Sequence, residues 1–115
     1  MTKEELIEYI SARQFMVICT FGEDYPESAC VEFGNDGLML IFDTNRASRK
    51  FKNLQESPKV SVVIGWEDER TVQYEGNATL LEDDTELERL KQVYFKKSPE
   101  AQKLESTEGI KQLQK

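Results

Sequence analysis

Histidine is absent from all 115 residues. That removes Ser-His and Cys-His nucleophilic pairs, imidazole acid–base catalysis and histidine metal ligation. Cysteine is scarce: Cys19 and Cys30 lack metal-like spacing and make no zinc site, so no metal is expected. Both lie in apolar, strand-like contexts, which favours reduced, buried thiols over a disulfide. No hydrophobic run approaches the length that spans a bilayer, and no apolar signal-peptide core follows Met1. The expectation is a cytoplasmic protein without a membrane partner. Neither a GxGxxG nor a GxxxxGK loop is present, and no repeat, low-complexity tract or linker divides the chain. Positive charge is outweighed, with 15 Lys and Arg against 22 Asp and Glu and a formal net charge of -7. Such a balance argues against a general nucleic-acid partner, whose phosphates need clustered cations.

What is present fits one domain over residues 1–115, large enough for a core but small for a complete catalytic cavity. Thr2 and Glu5 form a capping box ahead of an apolar stripe at Leu6, Ile7 and Ile10, so an N-terminal helix ends near Ala12. Phe15 to Thr20 and Pro26 to Phe33 read as strands joined by a turn at Gly22, Glu23 and Asp24. Gly34 to Gly37 read as the next turn and Leu38 to Phe42 as a third strand. A helix follows, its apolar face drawn from Ala47, Phe51 and Leu54, and Ser57 and Pro58 close it. Val60 to Ile64 is a β-branched strand, and Gly65 to Glu69 a turn. Thr71 to Leu81 alternates, with Val72, Tyr74, Gly76 and Ala78 on the inner face. Thr85 with Glu88 is expected to cap a helix bearing Leu87, Leu90, Val93 and Tyr94, which Ser98 and Pro99 break. Residues 100–115 are polar and read as weak helices or a tail. Five strands with hairpin connections indicate a mainly β chain with flanking helices, an antiparallel barrel or curled sheet.

One stretch reverses the overall sign of charge. Arg46, Arg49, Lys50 and Lys52, with Ser48 among them, crowd the junction between the third strand and its helix. The first turn of a helix carries N–H groups without intrahelical partners and the positive end of the macrodipole. Guanidinium and ammonium groups add to that field, so the junction suits a phosphate. The plainer alternative is a solvated helix face. Glu32 and Asp43 lie nearby but read by default as surface carboxylates. No acid or base stands out. Trp66 and Tyr25 read as anchors of turns or of a dimer seam, the alternative being a place at a substrate mouth.

Three segments in order carry a resemblance: YPESACVEF at Tyr25 to Phe33, FDTNRASRKFKNLQESPKVSVVIGW at Phe42 to Trp66, and TVQYEGNATLL at Thr71 to Leu81. Together they resemble the pyridoxamine 5'-phosphate oxidase-like FMN-binding split barrels, the Thr-Asn-x-x-Ser-Arg-Lys-x-x-x-Leu run being the most specific part. The resemblance implies an antiparallel split β-barrel of six strands, paired as a homodimer with FMN in a groove between subunits. It implies that Arg49 and Lys50 hold the ribityl phosphate, assisted by Ser48 and Arg46. It places Ser28, Ala29, Cys30 and Val31 along the isoalloxazine ring and Thr44 near the ribityl or phosphate region. Thr71 stands where the full oxidases carry glutamine against the ring.

Two departures narrow the implied activity. Nothing after Tyr94 and Phe95 matches the C-terminal segment that holds the vitamin phosphate in true oxidases, and the last strand is not identifiable. The implied function is a small FMN-dependent oxidoreductase of unknown substrate. The alternatives are a non-catalytic flavin-binding or redox-sensing module, or a split barrel holding another phosphorylated ligand.

Overall fold

The computed structural model describes residues 2–67, 70–97 and 110–114. In chain order these form α1 (Lys3–Ser11), β1 (Phe15–Phe21), β2 (Pro26–Glu32), β3 (Gly34–Asp36), β4 (Met39–Asp43), α2 (Arg49–Glu56), β5 (Lys59–Ile64), β6 (Val72–Leu80), α3 (Asp84–Lys97) and β7 (Ile110–Gln114). All strands join one antiparallel sheet in the order β2-β1-β5-β6-β7-β4-β3. Its two edge strands, β2 and β3, are separated in sequence by Phe33 alone, so the chain leaves one edge and immediately enters the other. That connection curls the sheet toward closure and limits exposed edges.

Alternation decides the interior. Met16 and Ile18 of β1, Leu40 and Phe42 of β4, Val60, Val62 and Ile64 of β5, and Tyr74 of β6 are buried together with Phe33. Ile10 from α1 and Leu54 from α2 complete this cluster. Ile41 points to the opposite side of β4, where Leu90, Tyr94 and Phe95 of α3 and Leu81 cover it. The helix α1 is fixed by its cap, with Glu5 N donating to Thr2 Oγ1 at 3.1 Å. Its Tyr9 hydroxyl donates to Arg70 O at 2.7 Å, and Gly65, at φ +84, leaves space for the Tyr9 ring.

The structure departs from several sequence expectations. Gly34 to Asp36 is a strand, not part of a turn: it pairs with Met39 to Ile41, and the turn shrinks to Gly37 and Leu38, with Gly37 at φ +63. Ala47 precedes α2 and is exposed, because Asn45 holds it in a local turn by accepting from Ala47 N at 2.7 Å. Asp83 rather than Thr85 caps α3, accepting from Glu86 N at 2.9 Å. Cys30 is exposed and Cys19 half-buried, since both fall on the outward set of their strands; both thiols are free. Ile110 to Gln114 is neither helix nor tail. It is a strand inserted between β6 and β4, and with β3 it brings the described sheet to seven strands where the resemblance implied six. Asp68 and Glu69 of the expected turn, and residues 98–109 with the Ser98–Pro99 break, lie outside the described residues.

Candidate functional site

The segment between β4 and α2 is built by short-range polar contacts. Ser48 N donates to Asn45 O at 3.0 Å, and Ser48 Oγ donates to the same carbonyl at 2.7 Å. Ser48 Oγ in turn accepts from Phe51 N at 3.2 Å, which makes Ser48 the N-cap of α2. Buried Thr44 places its Oγ1 3.2 Å from that oxygen; because the Ser48 proton is directed at Asn45, Thr44 is the donor. Arg49 and Lys50 therefore occupy the first two helical positions, where backbone N–H groups have no intrahelical acceptor.

Facing this helix head are β1 and β2. A cleft of about 200 Å³ is lined by Ser48, Arg49 and Lys50 on one side and by Ile18, Thr20, Glu27, Ser28 and Ala29 on the other. Of the residues singled out from sequence, the structure thus brings together Ser28, Ala29, Ser48, Arg49 and Lys50. Thr44 acts at one remove, through Ser48. Cys30 and Val31 continue β2 beyond the cleft, and the Arg46 guanidinium lies over the Phe51 ring, 5.6 Å from its centroid. Thr71 is exposed ahead of β6, next to Val72, whose partner Ile64 pairs with Met16. It therefore lies toward the end of the sheet away from Thr20 and Glu27, and does not line this cleft.

Neither cation is unopposed. Arg49 Nη1 lies 3.0 Å from Glu27 Oε2, with the Arg49 side chain 84% exposed and that of Glu27 26%. Half-buried Lys50 faces Asp43: burial lowers its pKa below the usual lysine value, and the Asp43 carboxylate opposes that shift. Burial also raises the Asp43 pKa, against the Tyr94 hydrogen bond and the Lys50 charge, with Glu32 adding to the rise. Tyr94 donates to Asp43 Oδ1 at 3.3 Å, and its own pKa is pushed up, first by burial and then by the Asp43 and Glu32 charges. Glu32 Oε2 is buried without a hydrogen-bond partner among the described residues. Glu32 and Asp43 are thus not the surface carboxylates that composition suggested.

Glu27, Asn53 and Tyr94 were not found from sequence. Asn53 Nδ2 donates both to Glu27 Oε1 at 2.6 Å and to Thr20 Oγ1 at 3.0 Å, so it ties α2 to β1 and β2. The available signal was its spacing, one helical turn after Arg49 on the face that meets the sheet.

The family model described as pyridoxamine 5'-phosphate oxidase matches residues 2–112. No curated protein sequence matches the chain. Among solved structures, General Stress Protein 26 from Bacillus anthracis is 24% identical with a TM-score of 0.74, over 97% of this chain and 87% of that one. An FAD-binding protein from Mesorhizobium loti is 12% identical with a TM-score of 0.78, over 98% and 88%. A heme binding protein from Mycobacterium smegmatis is 18% identical with a TM-score of 0.82, over 98% of this chain but 51% of that protein. At these identities the likeness establishes a shared fold.

Proposed function

Because this chain belongs to the pyridoxamine 5'-phosphate oxidase family, we propose that it binds FMN through the head of α2 and works as a small FMN-dependent oxidoreductase, as a homodimer. The observation that carries this reading is the placement of Ser48, Arg49 and Lys50 at a capped helix start, facing β2 across a cleft. Two N–H groups at the helix start without an intrahelical acceptor, a guanidinium fork and an ammonium form a donor set that matches phosphate oxygens. Thr44 orients the cap, and Ser28 to Val31 offer the adjacent edge strand to the flavin ring.

A cleft of about 200 Å³ is smaller than the roughly 300–1,000 Å³ usual for a bound cofactor. A second copy would supply the missing wall, and Thr71 joins the site only from that copy. FMN, when bound, supplies hydride or electron transfer; the chain supplies position, charge and exclusion of water. Oxidation of pyridoxamine phosphate itself is not part of the proposal.

The test is an absorption spectrum of the purified protein, followed by titration with FMN. Flavin bands, or binding of added FMN, support the reading; a colourless protein that ignores FMN overturns it. Replacing Arg49 and Lys50 together by alanine is expected to weaken FMN binding by about 2–4 kcal/mol, as for lost charge-assisted bonds. FMN-dependent oxidation of NADH or NADPH separates an enzyme from a flavin-binding module.

A further inference from the structure

The carboxylate of Glu27 already stands where an anion would meet the helix head. Both of its oxygens are engaged: Oε2 lies 3.0 Å from Arg49 Nη1, and Oε1 accepts from Asn53 Nδ2 at 2.6 Å. Its methylene stem lies against the turn between β1 and β2. A Cβ at Gly22 would come within 2.8 Å of Glu27 Cγ and 2.9 Å of Cδ. Gly22 N donates to Tyr25 O at 3.1 Å, closing that turn beneath the side chain. A glycine at 22, a carboxylate at 27 and an amide at 53 thus hold one negative charge against the cation at 49.

We infer that Glu27 is an internal counter-anion that sets the threshold for phosphate binding at this cleft. A phosphate arriving at Arg49 must either displace the carboxylate or sit beside it. In the first case two hydrogen-bonded contacts are lost, and in the second two like charges are brought close. Either cost falls on every anion alike. Inorganic phosphate and sulfate, which bring no other binding group, are kept out, whereas a phosphate ester with a large aromatic part offsets the cost through its remaining contacts. The inference rests on the proposed phosphate-ester site but concerns this chain's own device for restricting it.

The decisive comparison is Glu27→Gln against wild type. Glutamine keeps an acceptor for Asn53 and removes the charge. FMN affinity is expected to rise about tenfold, riboflavin affinity to stay unchanged because it lacks the phosphate, and the gain to shrink in about 0.5 M salt as screening takes hold. In an Arg49→Gln background the same substitution should bring a smaller gain, what remains being the direct repulsion between the carboxylate and the phosphate. Equal or weaker FMN binding by Glu27→Gln overturns the inference, and so does an equal gain for riboflavin. Inorganic phosphate gives a flavin-independent readout by thermal shift: Glu27→Gln should be stabilised at about tenfold lower phosphate than wild type. If neither protein binds FMN, the flavin reading fails, while the phosphate comparison still decides the role of Glu27. Identical phosphate responses would reject it. Should Glu27→Gln fold poorly, Glu27→Ser removes the same charge by truncation, and the same shifts are expected.

Discussion

At the scale of single residues, two buried polar side chains hold elements together in ways their chemistry dictates. Asn53 serves two acceptors with one amide, and Thr20, its partner on β1, is buried. Asn53→Ala strands that hydroxyl and one Glu27 oxygen, so urea denaturation should show a loss of about 1–3 kcal/mol. Stability within about 0.5 kcal/mol of wild type would mean the contacts are inconsequential. Lys97 poses the opposite problem, a cation half-buried against the Phe33 ring at 3.8 Å, donating to Ile10 O and Asn35 Oδ1 at 3.2 Å each. Burial lowers its pKa from 10.5 to about 8. Between those values the unfolded chain holds the proton and the folded chain does not, so this group adds stability as pH rises through that window. As pH falls through about 8 that contribution is lost. Lys97→Met should remove the rise, and urea midpoints of the two proteins compared across the window would show it; parallel curves would contradict the assignment. Asn53 and Lys97 were both hidden in the sequence, because a polar residue on a helix reads as solvated unless its distant partner is known. The Ser48 cap was missed for another reason: capping is decided within four residues of chain, but counting Ala47 on the apolar face of the helix put the helix start too early.

At the scale of elements, the same division between local and distant causes explains what sequence revealed. The capping box of α1, the β-branched run of β5 and the alternation of β6 are local signals, and the structure carries all three. The β3 strand was lost because Gly34 and Asp36 are turn formers by composition, and only pairing with β4 makes them extended. Strand β7 is the stronger case. Its polar sequence carries little periodic signal, yet its backbone pairs Leu40 to Asp43 on one side and Asn77 to Leu80 on the other. Two strands far apart in the chain therefore depend on it for hydrogen-bond partners. Deleting residues 98–115 should leave the facing edges of β4 and β6 without these bonds, lowering the melting temperature by at least about 5 °C and promoting aggregation by edge pairing. Differential scanning calorimetry with light scattering tests this. An unchanged melting curve would show that β7 closes the sheet without stabilising it.

At the scale of the whole molecule, the sheet presents an outward face that the described residues do not bury. Phe15 and Phe21 bracket β1 at 42% and 61% exposure, Tyr25 and Trp66 are 77% and 48% exposed, and Val17 lies between Cys30 and Val63 in the pairing register. Large aromatics exposed around a β-branched centre are what a second copy would cover. The cleft beside β2 is lined by Ile18 and Thr20 from the other face of β1, so under the proposed function a partner seated on the outward face completes it by wrapping around the β2 edge. Where the proposed dimer encloses the proposed flavin, dimerisation and FMN binding would be linked, each strengthening the other by the same factor. The net charge of -7 on each copy opposes association, so moderate salt should tighten the dimer through screening while leaving its apolar contacts intact. Sedimentation at micromolar concentration should give a species of twice 13.3 kDa. Adding FMN should lower the concentration at which it dissociates. Val17→Arg places a charge at the centre of this face without touching the core set at Met16 and Ile18. That variant should sediment as a folded monomer and lose FMN affinity together with the dimer. A wild-type monomer that binds FMN as tightly as any dimer would separate the two properties and refute the shared site.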